Sequence, residues 1–232
     1  MPHLQNKLFD FLPRADRIIV GERMKPFAAE IGTELQEVDQ PVEHIYFPNT
    51  GMVSLLIVLR DGIAVESATV GNEGTFGTST ALVDGLSANR AVVQMPLTAT
   101  RISVSDFLLL FNGNDPFRKL IARANEMLIN QFQQTAACNA RHQVEARCAR
   151  WLLQSHDRVG NGALPLTQEY LANMLAVRRS TVNEVAQALQ AEGLIGYTRG
   201  SIEVIDRAGL ENKACECYSV LARQRRRLLG IN

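Results

Sequence analysis

Residues 164–206 read LPLTQEYLANMLAVRRSTVNEVAQALQAEGLIGYTRGSIEVID. Leu171, Met174 and Leu175 recur at helical spacing and give a first helix its inner face. Thr167 is placed to cap that helix, because its hydroxyl can accept a backbone N–H that has no helical partner. Ala172 is small enough for a second helix to cross closely. Ala176-Val177-Arg178 fills the turn between them. The second helix is predicted from about Arg179 to Gln190, with Val182, Val185, Ala186 and Leu189 inward. A short hairpin follows: Gly193-Leu194-Ile195-Gly196-Tyr197, then Ser201-Ile202-Glu203-Val204-Ile205, with Arg199-Gly200 at the tip, where glycine permits a tight turn. Two short helices, a tight turn and a hairpin predict a winged helix-turn-helix, a module that sets its second helix into the DNA major groove.

The outer face of the second helix has the chemistry for that task. Arg178, Arg179, Ser180, Asn183, Glu184 and Gln187 lie away from the apolar stripe. Arginine can bond two acceptors on guanine, Asn and Gln can pair bidentately with adenine, and Glu can accept from cytosine. Most of these residues stand at the helix N-terminus, where recognition helices meet bases. Arg178 is a poor cap, which leaves free N–H groups that can meet a phosphate. Arg199 can touch the DNA backbone from the wing or simply be solvated. A solvated polar face on an ordinary helix remains the alternative for the whole set.

Upstream the pattern changes. Helices are expected at about 4–11 and 14–29, then short strands at Val42–Phe47, Val53–Leu59 and Ala91–Met95. Asp61-Gly62 sits between VSLLIVL and IAVESATV, a strong hairpin signal. Many short strands with turn signals suggest a closed sandwich or barrel. Gly71, Gly74 and Gly77 can cradle a phosphate or merely turn corners. Residues 116–157 read as helical, with Pro116 in a first turn and a break near Asn139-Ala140-Arg141. Leu120, Ala124, Met127/Leu128, Gln131, Thr135 and Cys138 form a near-heptad seam. That seam fits either a two-chain coiled coil or a helix packed on its own domain.

The 232 residues suffice for two modest domains. Residues 1–142 hold 12 Lys/Arg against 15 Asp/Glu, a net of −3, and residues 143–232 hold 12 against 9, a net of +3. The cation excess thus lies on the half assigned to DNA, much of it in Arg223, Arg225, Arg226 and Arg227, a phosphate-binding tail or a solubilising end. No run approaches the roughly 20 apolar residues of a membrane helix, and MPHLQNKLFDFL lacks signal-peptide features, so a cytoplasmic protein without a membrane partner is expected. Cys138, Cys148, Cys215 and Cys217 form no disulfide framework. Cys215-Glu216-Cys217 falls short of a zinc site without two further ligands, and His3, His44, His142 and His156 are scattered. The four cysteines are therefore read as idle thiols, with no metal and no cofactor. No serine elbow, paired His/Cys or metal spacing supports an enzyme.

The stretches LTQEYLANMLAVRRSTVNEVAQALQAEGLI…RGSIEVID and YFPNTGMVSLL…DGIAVESATVGNEGTFG resemble the cyclic-AMP receptor protein and fumarate–nitrate reductase regulator (Crp/Fnr) family of bacterial transcription factors. The resemblance covers nearly the whole chain. It implies an α+β fold: a cyclic-nucleotide-binding-like β-roll sensor over residues 1–115, a long dimerisation helix over 116–141, and a winged helix-turn-helix over 142–232. It implies a homodimer on two-fold symmetric duplex DNA and admits RNA polymerase as a further partner. By position, Arg179, Ser180 and Glu184 match the family's base-reading slots, and Thr181 a slot that sets the helix on the backbone.

Three departures matter. The turn slot usually held by glycine is Ala176, and a positive φ there costs of order 1 kcal/mol. The phosphate cassette of cyclic-nucleotide members is altered: Gly77 is followed by Thr78 rather than glutamate, and the arginine-serine slot falls at Asn89-Arg90. Gly74, Gly77, Thr78, Asn89 and Arg90 remain the candidate effector contacts, but cyclic AMP is not expected. No cysteine precedes Cys138, which argues against the iron–sulfur cluster of the oxygen-sensing branch. The expected function is a DNA-binding regulator controlled by an effector that the residues do not name. The alternatives are a constitutive regulator with a purely structural β-roll, or a ligand-binding protein that does not act on DNA.

Overall fold

The computed structural model describes residues 4–230 other than 84, 161 and 199. A 3₁₀ turn at Lys7–Phe11 opens the chain, capped by Asn6, whose side chain accepts from the Leu8 N–H. Then come α1 (Arg14–Glu22), β1 (Lys25–Ala29), β2 (Glu34–Gln36), β3 (His44–Val58), β4 (Ala64–Val70), α2 (Thr78–Ala81) and β5 (Arg90–Ser103). The four longer strands form an antiparallel sheet in the order β1-β5-β3-β4, with β2 also on β5. This is the β-rich half expected from the strand and turn signals.

Several boundaries differ from the sequence reading. The helix expected over 14–29 stops at Glu22, because Lys25–Ala29 pairs with Leu97–Arg101 as an edge strand. The two strands expected at 42–47 and 53–59 are one continuous strand, kinked where its register against β5 shifts around Pro48–Val53. Gly51 makes that kink possible: its φ is +80°, and a Cβ there would collide with the Pro96 carbonyl oxygen. Ala91–Met95 is only the start of a 14-residue strand.

α3 (Val104–Gly113) follows without a sequence forecast. Asn114 then caps α4 (Asp115–Arg141), accepting from the Phe117 N–H with Pro116 in the first turn, as anticipated. The break foreseen at Asn139-Ala140-Arg141 is instead the last turn of α4, and the chain reverses at His142. The seam proposed on this helix faces its own chain. Leu120 and Ala124 join the core formed by Leu8, Phe9, Ile45, Phe47 and Phe107, Gln131 bonds to Thr69 of β4, and Cys138 is buried against the C-terminal segment. The stripe left exposed is a different one, with Ala122, Ile129 and Ala136 seven residues apart.

The C-terminal half comprises α5 (Val144–Val159), α6 (Gln168–Leu175), α7 (Arg179–Ala191), the hairpin β6 (Ile195–Thr198) and β7 (Ser201–Val204), then α8 (Arg207–Lys213) and α9 (Cys217–Leu228). Leu164 bridges to Ile202, adding a third short rung to the wing. Trp151 and Leu152 of α5, Leu171 and Leu175 of α6, Val182 and Leu189 of α7, and Ile195 and Ile202 of the wing share one buried core. Met52, Leu56, Val92 and Met95 of the sheet belong to that same core, so the two halves are packed together. Among the described residues no helix is long and apolar enough to cross a membrane.

Candidate nucleic-acid interface

α6 begins as its sequence dictates, with the Thr167 hydroxyl accepting from the Tyr170 N–H at 3.2 Å. It ends at Ala176, which adopts φ +52° and ψ +47°. That is the left-handed conformation glycine prefers, and an alanine holds it at a cost of about 1–2 kcal/mol. The residue stays there because the turn's bonds over-determine it: its N–H and that of Val177 return to Asn173 and Ala172, and the buried Arg147 guanidinium donates to the Leu175 carbonyl.

This turn aims α7 outward. Val182, Ala186 and Leu189 are buried, whereas Arg178, Arg179, Ser180, Glu184 and Gln187 are exposed. Arg178 makes no side-chain cap, so the first N–H groups of α7 lack both a helical partner and a capping side chain, and exposed Arg178 and Arg179 stand at the same helix end. Thr181 is half-buried. Asn183 is also half-buried, and its Oδ1 already accepts from Gln168 Nε2 at 2.8 Å. The residues proposed for DNA contact on α7 thus lie on or beside one helix face; Arg199 lies outside the described residues. Gln168, which the sequence reading passed over, holds Asn183 in place. Of the C-terminal arginines, Arg225 is tied to Asp157 at 3.1 Å rather than free.

The residues proposed for an effector flank the segment Gln36-Glu37. Gly77, at φ +88°, starts α2, and Gln36 Nε2 lies 2.7 Å from where a Gly77 Cβ would be. Gln36 thus occupies the space over the glycine turn. Thr78 Oγ1 donates to Asn125 Oδ1 of α4 at 2.6 Å. Arg90 Nε donates to Glu37 at 2.7 Å, and its Nη1 stands 3.8 Å from Glu34. Its neighbour Asn89 uses its backbone to bond Ser87. Gly74 closes a turn onto Gly71. The guanidinium that would meet a phosphate is therefore held by carboxylates, and the glycine turn is covered by an amide.

Polar groups also cross between the halves. Glu66 of β4 is 6% exposed and accepts from Trp151 Nε1 at 2.7 Å and from Ser54 Oγ. Burial pushes its carboxyl up to about 7, although the two hydrogen bonds and Arg150 and Arg158 pull the other way. Arg158 pairs with Glu73 at 2.7 Å. Burial alone would raise the Glu73 carboxyl, but Arg158 and Arg225 outweigh it and hold the group below its ordinary value.

The cysteines correct the sequence reading. α9 folds back along α4 and brings Cys215 and Cys217 to Cys138 and His142, so the two ligands that C-x-C lacked are adjacent to it. His142 is not scattered, and three of the four thiols lie in one cluster. Cys148 alone sits apart, in the apolar core beside Trp151.

Comparison with known proteins agrees with this architecture. Residues 146–213 match the family model for the Crp-like helix-turn-helix domain. A Crp/Fnr-family transcriptional regulator from Eubacterium rectale superposes with a TM-score of 0.70 at 16% identity, covering 89% of this chain and 96% of that one. FixK2 from Bradyrhizobium japonicum gives 0.70 at 19% identity, over 83% and 98%. A CRP-family transcriptional regulator from Thermus thermophilus gives 0.68 at 21%, over 82% and 96%. No curated protein matches the sequence significantly.

Proposed function

We propose that this chain, which carries a Crp-like helix-turn-helix domain over residues 146–213 in a fold shared with Crp/Fnr-family regulators, is a DNA-binding transcription regulator that works as a homodimer, its DNA affinity set by an effector other than cyclic AMP. The observation that carries the reading is the uncapped N-terminus of α7, flanked by exposed Arg178, Arg179 and Ser180. Free N–H groups and two guanidiniums meet a phosphate and a base edge from one position. The exposed Ala122–Ile129–Ala136 stripe supports pairing of two copies through α4, since small and apolar residues at heptad spacing let helices approach closely. A two-fold pair then sets its recognition helices about 34 Å apart, one turn of duplex. The clamp of Glu37 on Arg90 and the cover of Gln36 over Gly77 support exclusion of a cyclic nucleotide phosphate.

Selection of random duplex DNA on the purified chain, with and without cyclic AMP, tests this. A palindromic site enriched equally in both arms supports the proposal. Enrichment only with the nucleotide refutes its effector part, and failure to retain duplex DNA even at low salt refutes the DNA-binding part. On the selected site, Arg179→Ala is expected to cost about 1–3 kcal/mol and to relax one base position.

A further inference from the structure

Four side chains from two distant parts of the chain converge below the reversal between α4 and α5. Cys138 lies in the last turn of α4 and His142 ends that helix, while Cys215 and Cys217 straddle the start of α9. Their Sγ and ring nitrogen atoms all lie within 4.8 Å of one another. The Cys138 and Cys215 sulfurs are 3.5 Å apart, and Cys217 Sγ is 3.5 Å from His142 Nδ1. The three cysteines are 0%, 7% and 1% exposed.

We propose that Cys138, His142, Cys215 and Cys217 bind a single zinc ion, with three thiolates and His142 Nδ1 as its four ligands. With Zn–S about 2.3 Å and Zn–N about 2.0–2.1 Å, a tetrahedral site has S···S edges of about 3.8 Å and S···N edges of about 3.6 Å. Both measured separations fall within a few tenths of an ångström of those edges. A disulfide joins only two of these atoms at about 2.05 Å and leaves Cys217 and His142 unexplained. A polynuclear iron–sulfur cluster spreads its thiolates over several irons, wider than the separation that bounds these four atoms.

The surroundings fit the same ion. His142 Nε2 lies 3.1 Å from a Glu216 carboxylate oxygen. That partner fixes the tautomer with its proton on Nε2 and leaves the Nδ1 lone pair for a metal, the usual carboxylate–histidine support. Gln134 Nε2 donates to Cys217 Sγ at 3.0 Å, a bond that favours thiolate. The buried Arg147 and Arg150 guanidiniums act electrostatically on Cys138, Arg150 also acting on the Glu66 carboxyl. Three thiolates around a divalent ion carry a net charge of −1, which supplies a counter-charge there. The ion would fasten the start of α9 to the end of α4, beside the reversal from which α5 and the helix-turn-helix depart. This inference stands whether or not the chain reads DNA.

The test uses the full-length chain, purified under reducing conditions with air excluded, then stripped and titrated with cobalt(II) and zinc(II). The expected result is one ion per chain, with the visible bands of tetrahedral cobalt and a thiolate-to-cobalt charge-transfer band, both displaced by zinc. Cys217→Ser should weaken that band. Because a ligand variant can fail to fold, Glu216→Gln serves as the second probe: it keeps all four ligands and should lower affinity about 10–100-fold with the cobalt spectrum retained. A folded, reduced chain that takes up no stoichiometric ion overturns the proposal. So does a Cys138–Cys215 disulfide in protein isolated without air, or uptake that survives the Cys138→Ser/Cys217→Ser double variant.

Discussion

Replacing Glu66 by glutamine should abolish a pH dependence of stability that this carboxyl imposes on the junction between sheet and helix-turn-helix. Glu66 is buried between β4 and α5, and its pKa rises from 4.5 to about 7. Each pH unit separating the two values is worth about 1.4 kcal/mol, so ionising the folded carboxyl costs about 3 kcal/mol. The sign follows from linkage: the native state holds its proton more tightly than the unfolded chain. The stabilisation is complete below pH 4.5 and is lost as pH rises through about 7. Glutamine keeps the shape and both bonds, since its oxygen can accept from Trp151 Nε1 and its amide can donate to Ser54 Oγ. Urea unfolding of both proteins between pH 5 and 8 isolates the effect, because Glu73, His142 and the other titrating groups cancel in the difference. The variant should match wild type within about 1 kcal/mol at pH 5 and exceed it by about 3 kcal/mol at pH 8. A difference that stays constant across the range would show that Glu66 is ionised throughout or reached by water, and the reasoning would fail.

Ala176→Gly removes a left-handed alanine at about 1–2 kcal/mol and adds back about 0.5–1 kcal/mol of unfolded-chain entropy. A net gain of about 0.5–1 kcal/mol is expected in urea midpoint, and a loss would mean the turn is unstrained. Arg158→Met leaves Glu73 buried without its directly paired cation, with only Arg225 still acting on it, and should cost about 3 kcal/mol at pH 7. Adding Glu73→Gln should recover most of that, and equal losses in single and double variants would sink the pairing argument. Gln168→Ala frees Asn183 Oδ1 at the DNA-facing surface, so the selected site should change preference at one base position with little change in thermal unfolding. An unaltered site would place Asn183 away from the bases.

The helix-turn-helix was legible because its signals are local. Apolar residues at helical spacing, a Thr167 cap and a three-residue turn need no distant partner to be read, and even the strain at Ala176 follows from one residue in one slot. Lys25–Ala29 was misread because nothing in KPFAA alternates; it becomes a strand only through its pairing with Leu97–Arg101. The neighbour of the α4 seam stayed open between a second chain and its own domain for a related reason. Periodicity marks which face is apolar, but Leu120 and Ala124 meet Phe9 and Phe107 rather than a second chain. The cysteine cluster was hardest, because its two pairs stand 77 residues apart between Cys138 and Cys215. The usable signal was chemical: C-x₃-H at a helix end and C-x-C elsewhere are each half of a four-ligand set.

The fold joins its two ends by continuous packing rather than by a flexible tether, and this constrains how any effector can act. Arg90 begins β5, and two residues later Val92 enters the core shared with Trp151 and Met174. Gln94 of β5 donates to the Met174 sulfur of α6 at 3.0 Å, and Ser54 of β3 lies 3.7 Å from the same sulfur, which holds the scaffold of the recognition helix against the sheet. A ligand competing with Glu37 for Arg90 therefore acts on the strand that carries this core. Close-packed side chains pass on a strand shift because they have few voids in which to absorb it. Glu37→Gln gives the same competition without a ligand, since it weakens the charge-assisted hold on Arg90. If coupling runs through β5, this exposed-edge change should alter DNA affinity as well as Arg90 mobility. Unchanged affinity with a released Arg90 would separate the β-roll from control of the helix-turn-helix and leave the constitutive regulator as the better reading.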